Sequence, residues 1–169
     1  MSVDSGLDPT ASALEWTMRV VLAGACGIHA VLDITDPCTG AKSTALSVEG
    51  SLPRWLLPCI GILRAVSAFT LFSENPDVVL GTLGFIITLW SGAVYFHLRR
   101  KHQPVIAIPA IFFVVLAFVP IALRVNFFVA LIGTAVCALI AVGLGKILVT
   151  PPTSEGHEAG GILDRAAQD

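Results

Sequence analysis

Glu15, Arg19, Leu22, Cys26, His29 and Asp33 step by four, three, four, three and four. At about 100° per residue they fall on one narrow face of a helix. All but Leu22 are polar or sulfur-bearing. The surrounding run Ala13–Ile34 is otherwise apolar. An ionisable group inside a bilayer costs about 2.5–3.5 kcal/mol on insertion scales, so it must face protein, water or another such group. The stripe is therefore expected to point into a bundle. Its chemistry is open at this level. Glu15 and Arg19 at i, i+4 can pair, and Glu15, Arg19 and Asp33 can snorkel to an interface. His29 lies deeper, as a core histidine or as a proton carrier.

Arg64 is the second candidate. It stands about 16 Å along the apolar run Pro53–Phe72 at the rise of an α-helix. That depth is hard to reconcile with snorkelling, so Arg64 needs an acceptor: a carboxylate, a carbonyl, water, or an anionic ligand or lipid head group. Antiparallel pairing of the first two helices sets Arg64 level with Cys26, with His29 nearby and Glu15 and Asp33 farther along the axis. On that reading no carboxylate is at hand, and a water-filled or ligand-filled cavity is expected. A structural Arg64 bonded to helix carbonyls is the competing reading. Gly81, Gly84, Thr88, Ser91 and Tyr95 share one face of a third apolar run. Thr88, Ser91 and Tyr95 join the candidate buried polar site, although small and hydroxyl residues also serve close helix packing.

These residues must be held by membrane helices. The chain has 169 residues, of which 13% are charged, against about 25% in a typical soluble domain. Its mean hydropathy is +0.84. Apolar runs of the ~20 residues that cross a bilayer occur at about 13–34, 53–72, 78–98, 105–123 and 127–148. The expected fold is an all-α integral membrane bundle over 13–149, with a flexible N-terminus at 1–12 and a disordered tail at 150–169. Arg124-Val125-Asn126 is the only polar break between the last two runs. Pro109 and Pro120 are expected to kink the fourth. Without Lys or Arg before Arg19, no signal peptide is visible, and the first span is expected to stay in the mature protein.

Orientation follows from the basic residues. Lys42, Arg54, Arg99, Arg100, Lys101 and Lys146 fall at one end of a five-span bundle, and Arg19 and Arg124 at the other. The N-terminus is expected outside or luminal and the C-terminus cytoplasmic. The net charge of -2 gives no reason to expect nucleic acid. Cys26, Cys38, Cys59 and Cys137 form no CxxC pair and read as packing residues, Cys38 being the one expected in an exposed loop. The sequence has no phosphate loop, HExxH or nucleophile elbow, and no metal site is expected.

The segment Gly92-Ala93-Val94-Tyr95-Phe96-His97-Leu98-Arg99-Arg100, followed by an apolar span ending Ala122-Leu123-Arg124, resembles the DoxX-like membrane protein family. Its members are four-helix membrane bundles, and their third helix commonly ends in a Gly-Ala-x-x-x-His-Leu-Arg-like sequence. Gly61-Ile62-Leu63-Arg64-Ala65 is similar to the family's second-helix start, with Arg64 where the family has Glu. Ala23-Gly24 and His29 resemble its first helix, where a Lys often stands near the position of His29. The resemblance covers about residues 13–124 and leaves the fifth span outside the usual four. It implies a mixed set of roles: subunits associated with membrane redox enzymes, and assembly factors for membrane proteins. Three functions follow as expectations. The first is a non-enzymatic accessory or assembly subunit whose partners are the bilayer and other membrane subunits. The second is a redox-associated protein binding a quinone or other lipid-soluble ligand through Arg64, His29 and Tyr95. The third is a small transporter or proton path along Glu15, Arg19, His29 and Asp33.

Overall fold

The computed structural model describes residues 8–39, 56–99 and 104–148. The first loop beyond Thr39, the basic turn from Arg100 to Gln103 and the C-terminal tail lie outside the described residues. Five helices make up the bundle: α1 Pro9–Thr39, α2 Leu56–Thr70, α3 Pro76–Arg99, α4 Pro104–Arg124 and α5 Phe127–Leu148. Four of them contain stretches long and apolar enough to cross a membrane, and α2 is a shorter apolar helix. The chain is a multi-pass integral membrane protein of all-α architecture.

The helix boundaries follow local chemistry. α1 starts four residues before the apolar run, because Pro9 takes the first helical position, where its missing N–H costs nothing, and the Asp8 carbonyl accepts from Ser12 N at 3.0 Å. It also runs past Ile34, with the Thr35 hydroxyl returned to the Val31 carbonyl at 2.8 Å. The helix continues through Asp36 and Pro37 to Thr39, although Pro37 removes one backbone donor, so Cys38 belongs to α1 and not to a loop. Asn75 caps α3 through its side-chain oxygen on Asp77 N at 2.9 Å, ahead of Pro76. Asn126 caps α5 in the same way through Phe128 N at 2.9 Å. The polar break at 124–126 is thus a two-residue turn between α4 and α5.

α1 packs chiefly on α2, α3 on both α4 and α5, and α1 also meets α4. The interior is filled by Leu22, Cys26, Leu71, Val79, Leu83, Ile86, Ile87, Trp90 and Ala117. Two close approaches depend on glycine. A Cβ at Gly61 on α2 would stand 2.8 Å from Ile34 Cγ1, 3.0 Å from Asp33 Cβ and 3.1 Å from the Ala30 carbonyl. One at Gly145 on α5 would stand 2.7 Å from the Tyr95 ring. The outer surface carries Ile28, Val31, Phe69, Phe128, Ile132, Leu139 and Ile147, a lipid-facing composition. α5 is the least buried of the long helices.

Candidate functional site

The stripe on α1 faces inward. Glu15, Arg19, Leu22, Cys26 and Asp33 are buried and His29 is half-buried. It feeds two separate charged clusters, one near each end of the bundle.

In the first, Asp33 of α1 pairs with Arg64 of α2. The bond runs from Arg64 Nη1 to Asp33 Oδ2. This corrects the expectation that no carboxylate is at hand. Two things bring the carboxylate within reach, the register of α2 on α1 and the tilt of the side chains. In an α-helix each side chain leans toward its own N-terminus. Gly61 packs on Ala30, Asp33 and Ile34, which sets the Arg64 backbone, one turn on, only about one turn from Asp33. With α1 and α2 antiparallel, the two side chains lean toward each other and close that gap. Gly61, one turn before Arg64, lets the backbones approach closely enough for the pair to meet. The guanidinium also lies 5.0 Å from the centroid of Trp90 on α3, a cation–π contact. Trp90 stacks on Phe113 of α4 at 4.6 Å and meets His29 edge-on at 5.1 Å. Four helices therefore converge on one indole. Arg64 Nε is buried with no hydrogen-bond partner among the described residues.

In the second cluster, Glu15 receives two arginines. Arg124 donates to Glu15 Oε1 from Nε at 2.8 Å and Nη2 at 2.6 Å, and Arg19 Nη1 reaches the same oxygen at 3.4 Å. Arg19 further donates from Nε to the Leu71 carbonyl at 2.6 Å, and from Nη2 to the Leu71 and Ser73 carbonyls. It thereby caps carbonyls just past the end of α2, where a cation also meets the negative end of the helix dipole. Its guanidinium lies 4.8 Å from the Trp16 ring, which itself stacks on Phe72. The start of α1, the α2–α3 turn and the α4–α5 turn are thus tied together at one end.

The α3 residues go elsewhere. The Thr88 hydroxyl bonds the Gly84 carbonyl of its own helix at 3.0 Å. Gly84 faces Cys137, Gly92 faces Ala141, and Tyr95 lies on Gly145, all on α5. Tyr95 also receives Arg99 Nη1 at 3.3 Å. This face serves helix packing, and Tyr95 is not brought to Arg64 and His29; Ser91, half-buried, lies in the same helix. Sequence reasoning missed Trp90 and Phe113 as the partners of Arg64. The signal was a tryptophan too deep for an interfacial belt. It also missed Arg124 as a partner of Glu15, which no local spacing encodes.

Two grooves mark the bundle surface. One, of about 330 Å³, lies between α2 and α3 among Leu63, Ser67, Thr70, Gly81, Thr82 and Phe85, where the Thr70 and Thr82 hydroxyls stand 2.8 Å apart. The other, of about 250 Å³, lies between α3, α4 and α5. Neither is lined by Arg64 or His29. Among the described residues no group of three or more His, Cys, Asp or Glu side chains is placed to hold a metal.

No curated protein and no solved structure matches the chain. A family model described as the DoxX-like family matches residues 17–119. That stretch is more than half of the chain and contains the Asp33–Arg64 pair, Trp90 and Phe113, so the chain belongs to the DoxX-like family.

Proposed function

We propose that this protein is a non-enzymatic accessory or assembly subunit of a membrane complex. The observation that carries the reading is how the intramembrane charges are used. Asp33 and Arg64 engage each other, and Glu15 engages Arg19 and Arg124. Arg19 spends its remaining donors on backbone carbonyls. Such groups act as struts between helices, and they leave a rigid scaffold with an apolar exterior on which partner helices can pack. We take the N-terminus to be outside or luminal and the C-terminus cytoplasmic, a reading supported by Arg99 and Lys146 at the end opposite the Glu15 cluster. Affinity purification of the full chain from its native membrane in mild detergent, after in-membrane cross-linking, is expected to return a stoichiometric membrane-protein partner. Recovery of the monomer alone would overturn the reading.

A second reading has its own support. Arg64 Nε is buried without an acceptor, and it stands beside the His29–Trp90–Phe113 aromatic group. A planar lipid-soluble head group such as a quinone would find both a donor and a stacking surface there. Quinone binding that survives Arg64→Leu in a folded protein removes this reading. The proton path along Glu15, Arg19, His29 and Asp33 has no comparable support: Glu15 and Arg19 belong to one cluster and Asp33 to the other.

A further inference from the structure

The described residues include five of Lys or Arg type. Three of them meet a carboxylate: Arg19 and Arg124 meet Glu15, and Arg64 meets Asp33. The other two, Arg99 and Lys146, are exposed and have no carboxylate partner among the described residues. Both stand at one end of the bundle, where the apolar stretches of α3 and α5 finish, at the depth of the lipid head groups. α3 and α5 run parallel, in contact at Gly84 and Cys137, Gly92 and Ala141, and Tyr95 and Gly145. That register sets Lys146 within about one turn of the level of Arg99. Tyr95 sits at the junction. Its ring lies over Gly145, where a Cβ would stand 2.7 Å from it. Its hydroxyl accepts from Arg99 Nη1 at 3.3 Å, which leaves the phenolic hydrogen to donate elsewhere. Glycine at 145 thus lets α3 bring a phenol and a guanidinium against the turn of α5 that carries Lys146. Cations at helix C-termini offset the helix dipoles, but two helix ends supply only about one negative charge between them against these two cations. The end stays positive, and the anion a bilayer supplies at that depth is lipid phosphate.

We propose that Tyr95, Arg99 and Lys146 form a binding site for the head-group phosphate of one anionic glycerophospholipid. Arg99 and Lys146 give the phosphate oxygens charge-assisted bonds, and the Tyr95 hydroxyl donates a third. One acyl chain runs along exposed Leu139 and Gly143, which share the face of α5 with Lys146. A zwitterionic lipid offers the same phosphate but carries its own cation, which the two basic residues repel. The site is separate from both charged clusters, and it does not depend on which side of the membrane this end faces.

The test uses the full chain, purified in detergent and incubated with an equimolar mixture of phosphatidylglycerol and phosphatidylcholine, with retained lipid counted by native mass spectrometry. One phosphatidylglycerol per protein is expected, preferred about twentyfold, since each basic residue near a head group is worth about fivefold. Arg99→Gln and Lys146→Gln are each expected to lower the preference about fivefold, and the double variant to abolish it. Tyr95→Phe keeps the ring on Gly145 and is expected to lower it about threefold. Arg100→Gln/Lys101→Gln removes the same charge from the next residues in the sequence and is expected to keep the preference within about twofold. Thermal unfolding separates the site from a purely structural role: phosphatidylglycerol is expected to raise the Tm of the wild type and not that of Arg99→Gln/Lys146→Gln. The proposal is overturned if the wild type retains the two lipids equally, or if Arg99→Gln/Lys146→Gln keeps the wild-type preference or the wild-type rise in Tm. It is also overturned if Arg100→Gln/Lys101→Gln loses as much preference, because the attraction is then a diffuse field and not a site.

Discussion

Removing one member of the Asp33–Arg64 pair is expected to do more damage than removing both. Both side chains are nearly sequestered, with 10% of the Arg64 side chain and 1% of the Asp33 side chain exposed. Losing either strands a charge beside Trp90 and Cys26 instead of returning it to water. Breaking a buried pair in this way costs about 3–5 kcal/mol, whereas replacing the pair by apolar side chains of similar size is close to neutral. Arg64→Met also forfeits the contact with Trp90, worth about 0.5–2 kcal/mol. For a chain of this length each kcal/mol moves the thermal midpoint by roughly 2–4 °C. Asp33→Leu and Arg64→Met are therefore each expected to lower Tm by about 6–20 °C, and the double variant by far less than their sum. Thermal unfolding in a single detergent, followed by intrinsic tryptophan fluorescence and by size-exclusion recovery, supplies all four corners of the cycle. Single variants within about 2 °C of wild type would mean that water already solvates the pair. Strictly additive effects would mean that the two groups do not act on each other. Either result refutes the argument that the pair is a dry strut.

Gly61→Ala puts a methyl group against Ile34, Asp33 and the Ala30 carbonyl and is expected to cost about 1–3 kcal/mol by forcing α1 and α2 apart. The same unfolding assay should show its effect largely absent in the Asp33→Leu/Arg64→Met background, where the helices no longer need to hold that spacing. Gly145→Ala collides with the Tyr95 ring at 2.7 Å; its loss of Tm should be recovered by Tyr95→Leu, which withdraws the ring and leaves the Arg64 cluster untouched.

The helices were legible in the sequence because length and apolarity alone specify them in a bilayer. So was the inward stripe of α1, since the step of three and four residues is the period of the helix itself. Arg64 shows where that kind of reasoning stops. Its depth was readable, but its partner was assigned from backbone level. The direction in which two antiparallel side chains lean, and the approach that Gly61 permits, decide the matter. Arg124 marks a different limit. It reads as a turn residue because nothing near it in sequence carries a negative charge. Its partner Glu15 is brought beside it only when α1 packs on α4. Tyr95 shows that a face of small residues is ambiguous: Gly84, Gly92 and Tyr95, on the helix face that could line a polar cavity or a helix contact, meet Cys137, Ala141 and Gly145 of α5.

The two clusters divide the work of holding the bundle by distance along α1. Asp33 ties that helix to α2 through Arg64, and to α3 and α4 through Trp90 and Phe113. About 27 Å away along α1, at 1.5 Å per residue, Glu15 and Arg19 tie it to α4 and to the turn after α2. A helix fixed at only one end could pivot in a bilayer, where apolar side chains give little preference between lipid and protein. Fixing α1 near both ends removes that freedom and sets the register of α2 and α4 against it. α5 has no such tie among the described residues. Its contacts include Cys137 on Gly84, Ala141 on Gly92 and Gly145 on Tyr95, and Phe127 meets Phe118 of α4 edge-on, all of them apolar packing. The part of the bundle without an ionic strut is thus the part beside the groove between α3, α4 and α5 and the most exposed to the membrane. There, small forces from a bound lipid or a partner helix have the most effect on how the protein is assembled.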